Sequence, residues 1–295
     1  MRQPYGHHQG YVKPKHKNRH NRDAHEGLGS TRLVERLSEI QPKIDRADEH
    51  IMTLEKAIRA FLNSNPYEVN TTYDDKRQLV YYVSKAEPIP SNLPIIAADA
   101  IQNLRSALDH LAYQLYLIGT GGATVRRNRQ TQFPVGMDAT KYAEQVGNRT
   151  NGMRADAITV FNSLEPYKGG KNEIIWKLSE LNNLDKHRLL ITVGSHYASF
   201  DVGADVQKRM KASGFDGKVP PFFMKPADNL FPLKKGDQLF SGAVGEKPNP
   251  KQTFKFAVVL DEPSIDIRGA DPLALLNEMS KAVVATVSQF NSCLT

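Results

Sequence analysis

Residues 103–115 read NLRSALDHLAYQL, and within them Arg105 and His110 stand with four residues between. The two residue types suit one reaction. An imidazole takes or gives a proton near neutrality, and a guanidinium matches phosphate oxygens with paired donors. Together they would cleave a phosphodiester in RNA. His draws the proton from the 2′-hydroxyl or returns one to the leaving oxygen, while Arg stabilises charge on the phosphate. That chemistry requires no metal and no cofactor. At about 100° per residue the two side chains sit about 140° apart on a straight helix. Two helices, or two protomers of a homodimer, would therefore have to supply one group each. Arg105 and Asp109 are an i, i+4 pair able to bridge, whereas Asn103, Ala107 and Gln114 lie toward the side of His110.

A second polar cluster, LNNLDKHRLL, places Asn182, Asn183, Asp185, Lys186, His187 and Arg188 at a helix end just before a strand. Two accounts fit it. In one, Asp185 orients His187 and Arg188 or Lys186 meets phosphate, with Asp109–His110 facing Asp185–His187 across a single cleft. In the other, the basic residues meet the free carbonyls of a helix C-terminus. An Asp109–Arg188 or Asp185–Arg105 bridge then joins two helices as an internal polar brace, without catalysis. Between the clusters, GTGG at 119–122 leads into VRRNRQ, where Arg126, Arg127 and Arg129 form a basic loop that would touch nucleic acid. It lacks the strand and Lys-Ser/Thr context of a P-loop. His110, His187 and His196 show no ligand spacing, so no metal is expected.

These residues must be positioned by elements that the hydrophobic pattern marks out. Leu33, Leu37, Ile40, Ile44, Ile51, Leu54, Ile58 and Phe61 recur at helical spacing, which predicts a long helix over 31–62, capped by Ser30 and kinked at Pro42. YEVNTTY and QLVYYVSKA flank DDKR and predict a β-hairpin near 67–86. The central helix is expected over 95–118, with Ile101, Leu104, Leu108, Leu111 and Leu115 as its core stripe. Shorter helices follow near 138–147, 153–164 and 171–184. From Arg188 the period falls toward two, and RLLITVGSHYASFDVGADV, FPLKKGDQLFSG and TFKFAVVLDEP read as strands. Tyr81, Tyr82 and Tyr197 fall in strands, as packing or cross-strand pairs. A last amphipathic helix begins at Asp271–Pro272. The expected fold is α+β: a helical bundle with an antiparallel β section and a C-terminal helix packing back. Residues 31–186 form the mainly helical region, and 187–295 the β section with the last helix.

Composition narrows the classes. No run reaches the roughly 20 apolar residues of a membrane span, and the N-terminus offers no apolar stretch for a secretory signal. The single cysteine, Cys293, excludes an internal disulfide. These features lead to the expectation of a cytoplasmic protein with no membrane association. The net charge of +7 is unevenly spread. In residues 1–30 the bases outnumber the acids by four, and five of the nine histidines lie there with almost no aliphatic residues. This stretch reads as a disordered basic tail, either an arm with weak affinity for nucleic acid or a solubilising extension. The remaining body is nearly balanced.

Arg105-Ser-Ala-Leu-Asp-His110 resembles the Arg-x4-6-His signature of the HEPN superfamily, helical proteins that include metal-independent ribonucleases of toxin and defence systems. Many of those nucleases carry Asn, Asp or His after the arginine; Ser106 stands there in this chain. The resemblance implies that Arg105 and His110 are the catalytic pair, acting across a dimer. RADEHIMTLEKAIRAFLNSNPYEV, NLRSALDHL, FPV and IIWKLSELNNLDKHRLL together resemble a widespread bacterial family to which no reaction is attached. Gln102 stands where many of its members have His. The functional expectation is an RNA- or nucleotide-binding protein, with endoribonuclease activity implied by the HEPN resemblance. The other reading is a non-catalytic interaction or structural protein.

Overall fold

The computed structural model describes residues 32–122, 131–188, 193–201, 207, 210–214, 217, 223–224, 232–250 and 252–295, with the backbone alone at 185–188, 193–201 and 223–224. The basic tail 1–30, the Ser30 cap and the loop arginines Arg126, Arg127 and Arg129 lie outside these residues. So do the side chains of Asp185, Lys186, His187 and Arg188.

The architecture is α+β. The long N-terminal helix is interrupted, not merely kinked: helix over 32–37 gives way to a turn at 38–40, and α1 (Gln41–Asn63) then begins anew. Pro42 is the reason. It has no N–H to donate back and its ring would clash with the preceding turn, but it fits the first turn of a new helix. Along α1 the buried residues Ile44, Ala47, Ile51, Leu54, Ile58 and Phe61 alternate in steps of three and four, forming one apolar stripe. The stripe lies against α2 (Asn92–Gly119), whose Ile101, Leu104, Leu108 and Leu111 are fully buried. Burying each such side chain contributes about 1.5–3 kcal/mol.

Three short helices carry the chain around this pair: α3 (Ala139–Arg149), α4 (Ala155–Leu164) and α5 (Glu173–Arg188). The last helix, α6 (Pro272–Gln289), returns to pack on α1, α2 and α5. Its cap is the expected one: the Asp271 carboxylate accepts the N–H groups of Leu273 and Ala274 at 2.8 and 3.1 Å.

The hairpin falls where the sequence places it, as β1 (Tyr67–Tyr73) and β2 (Gln78–Ala86). Its DDKR turn is held by Asp74 Oδ1, which accepts the N–H of Lys76 and of Gln78, while Arg77 adopts a left-handed conformation at φ 61°. The hairpin does not stand alone. β5 (Gln238–Val244) pairs antiparallel with β2, so the first sheet runs β1-β2-β5 and crosses the boundary expected at 186/187. β3 (Val193–Asp201), β4 (Phe223–Met224), β6 (Phe254–Glu262) and β7 (Ile267–Ala270) form a second antiparallel sheet in the order β4-β3-β6-β7. Tyr81 packs as expected of a strand residue, against Phe240 and Phe254, and its hydroxyl accepts the N–H of Asn249. Among the described residues no helix is long and apolar enough to cross a membrane.

Candidate functional site

The segment Phe133-Pro134-Val135 runs across α2 without belonging to a strand. Phe133 is fully buried, its ring 5.4 Å from that of Phe161, so its backbone N–H and C=O cannot turn to bulk water. α2 supplies both missing partners from side chains one turn apart. Asp109 Oδ1 accepts the Phe133 N–H at 2.8 Å, and Arg105 Nη2 donates to the Phe133 carbonyl at 2.9 Å. The same two atoms bridge each other at 2.8 Å. The i, i+4 pair thus offers Phe133 one donor and one acceptor, as a neighbouring β-strand would.

A second guanidinium reaches the same place. Arg149, the last residue of α3, donates from Nη1 to the Phe133 carbonyl at 3.1 Å. Two cations therefore meet at one oxygen, their donor nitrogens no further apart than the two bonds laid end to end. They form one wall of a polar cleft of about 160 Å³. Gln132 lines it from the loop, and Glu180, Asn182 and Asn183 line it from α5. Arg105 is only 7% exposed, and its Nη1 is buried without a hydrogen-bond partner among the described residues. Burial pulls its guanidinium down from the ordinary value and the Asp109 carboxylate opposes that. Burial pushes the Glu180 carboxyl up, partly offset by its hydrogen bond with Asn183.

The candidates from sequence distribute unevenly over this geometry. Arg105 and Asp109 come together on one helix, while the alternative bridges, Asp109–Arg188 and Asp185–Arg105, involve side chains outside the described residues. His110 is half-buried and is not among the residues around the cleft; among the described residues its imidazole has no hydrogen bond. Within one chain the structure does not bring Arg105 and His110 together. Asn103 is also turned elsewhere, donating to the Asp99 carbonyl of its own helix at 2.8 Å. Asn182 and Asn183 reach the cleft on the last turns of α5, while the side chains of residues 185–188, beyond Leu184, are not described. Among the described residues no three His, Cys, Asp or Glu side chains gather to hold a metal ion.

Arg149 and Glu180 were not picked out by sequence reasoning. Arg149 looks like an ordinary basic residue at a helix C-terminus. α5 did carry a signal: Ser179 and Asn182 follow Ile175 at the spacing of a core stripe, and both are buried. A larger groove of about 490 Å³ runs between α1 and α6, floored by a Ser280–Asp48 hydrogen bond of 2.7 Å, and holds none of the candidate residues. The chain matches no protein-family model, no curated protein and no solved structure.

Proposed function

We propose that this protein binds a phosphate-bearing ligand, RNA or a nucleotide, at the cleft between α2, α3 and α5, and that Arg105 acts there as a buried anchor and not as half of a catalytic pair with His110. The observation that carries the reading is the meeting of Arg105 and Arg149 at the Phe133 carbonyl, beside a cleft to which Gln132, Asn182 and Asn183 add side-chain amides. Guanidinium groups and side-chain amides supply N–H donors in the geometry that phosphate oxygens accept. A low-dielectric wall strengthens that attraction.

The decisive experiment is a fluorescence-anisotropy titration of a labelled oligoribonucleotide, and separately of a labelled nucleotide, at low and moderate salt. Binding that weakens with salt and is lost in Arg149→Ala supports the proposal, since each phosphate contact adds to the salt slope. No binding at low salt overturns it.

A second reading has its own observation. Asp109 Oδ1 is occupied by both Arg105 and the Phe133 N–H, a closed clamp that satisfies buried groups with no ligand at all. On that reading the protein is a non-catalytic interaction or structural module, and the cleft is incidental. The same titration separates the two.

A further inference from the structure

The size of the cleft and the kind of acid in its wall restrict what enters it. Sites for whole small molecules span roughly 300–1,000 Å³, and this cleft has about 160 Å³. A recess of this size matches a phosphate group and not a base with its ribose. Of the two carboxylates that line it among the described residues, Asp109 is already committed to Arg105 and to the Phe133 N–H. Glu180 is different. Among the described residues no cation pairs with it, and Asn183 on the same helix is its hydrogen-bond partner. Among the described residues, the other charged groups around the cleft are Arg105 and Asp109 from α2 and Arg149 from the end of α3. On α5 itself, Lys177 is directed to Glu173, 3.9 Å away. An ionised Glu180 would repel an oxyanion in this space, whereas a protonated carboxyl donates an O–H to it.

Resting on the reading of the cleft as a phosphate site, we propose that it takes a single terminal phosphate, not an internal phosphodiester, and that Glu180 meets this group as a neutral acid, so that binding takes up a proton. An internal phosphodiester carries a sugar on each side, and so small a recess favours a group that enters end-on. A terminal phosphate presents three oxygens to the Arg149, Asn182 and Asn183 side of the cleft. The burial that favours the neutral form of Glu180 in the empty cleft acts in the same direction.

The test uses sulfate as a first probe, because its charge stays fixed between about pH 5 and pH 8 while that of phosphate does not. Calorimetric titration of the full chain at about pH 5.5 and pH 7.5, in buffers of different ionisation enthalpy, reads affinity and proton uptake together. The expected result is several-fold tighter binding at the lower pH with proton uptake on binding. Glu180→Gln is expected to hold the acid-pH affinity at both pH values and take up no proton. Sulfate binding that is lost in Arg149→Ala but flat with pH in the wild type overturns the role of Glu180 and leaves the site standing. Absence of sulfate binding at either pH removes the site itself. A 5′-phosphorylated oligoribonucleotide, its 5′-hydroxyl counterpart and a free nucleoside monophosphate then identify the source. Equal affinity for both oligoribonucleotides overturns the terminal-phosphate assignment.

Discussion

The guanidinium groups of Arg105 and Arg149 donate to one oxygen, the carbonyl of Phe133, over 2.9 and 3.1 Å. They are not equivalent. Arg105 is buried and held by Asp109, whereas Arg149 is half-buried at the end of a helix. Arg105→Ala removes the partner of Asp109 and one of the two donors to a buried carbonyl, at a cost of about 3 kcal/mol. For a chain of this size that lowers Tm by on the order of 10 °C. Arg149→Ala is expected to cost about 1 kcal/mol or less, because the carbonyl keeps its bond to Arg105. Differential scanning fluorimetry of the two variants side by side checks the ranking; equal losses contradict it.

Asp109→Ala should match Arg105→Ala, since it leaves a buried guanidinium uncompensated and the Phe133 N–H without its acceptor. Asp109→Asn keeps an oxygen for that N–H and loses only the charge, so its Tm should fall between Asp109→Ala and the wild type. A double-mutant cycle over Arg105 and Asp109 measures the coupling directly.

Much of this clamp was legible in the chain and part was not. The i, i+4 spacing of Arg105 and Asp109 already made them partners, and the leucine stripe from Leu104 to Leu115 fixed which way α2 faces. What they clamp was not legible, because Phe133-Pro134-Val135 has no periodicity and its partners are side chains, not a strand. Arg149 joins from a helix whose own pattern gives no hint of Phe133, sixteen residues upstream. At Pro42 the sequence shows the proline but not its full effect: the apolar stripe continues past it, so a kink is expected where a new helix starts.

Glu180 makes stability depend on pH in a defined direction. Its carboxyl titrates above the ordinary carboxylate range when folded, chiefly because burial disfavours the charge. A raised native value stabilises the fold below the unfolded value, and that contribution is lost as pH climbs through the native one. Glu180→Gln should therefore match the wild type near pH 4 and become progressively more stable than it toward about pH 7. Paired thermal melts across that range test this; a constant offset would show that Glu180 titrates normally.

His110 stands apart from the cleft, so His110→Ala should leave RNA or nucleotide affinity within about twofold of the wild type. An incubation with mixed RNA in EDTA completes the comparison. Metal-independent cleavage that disappears in His110→Ala would mean that a second copy brings its imidazole to Arg105, contrary to the reading favoured above.

Gly136 lines the cleft and lets the loop lie flat against the first turn of α3. A Cβ there would sit 2.3 Å from the Tyr142 amide nitrogen, a backbone atom that cannot step aside. Gly136→Ala should lower Tm by several degrees and weaken phosphate binding together, as the Phe133 segment is pushed off its clamp. Retained affinity with a lowered Tm would separate the loop's packing from the site.

The strand that completes the first sheet is made long after its partner. A two-stranded ribbon is marginal on its own in water, and β2 has to wait for residues 238–244 before its second edge is covered. During synthesis, then, the ribbon at 67–86 leaves the ribosome with an open flank, and closing so long a loop is an entropic barrier that slows the final step of maturation. The vulnerable species for this protein is the nascent chain with its first five helices made and that flank still waiting.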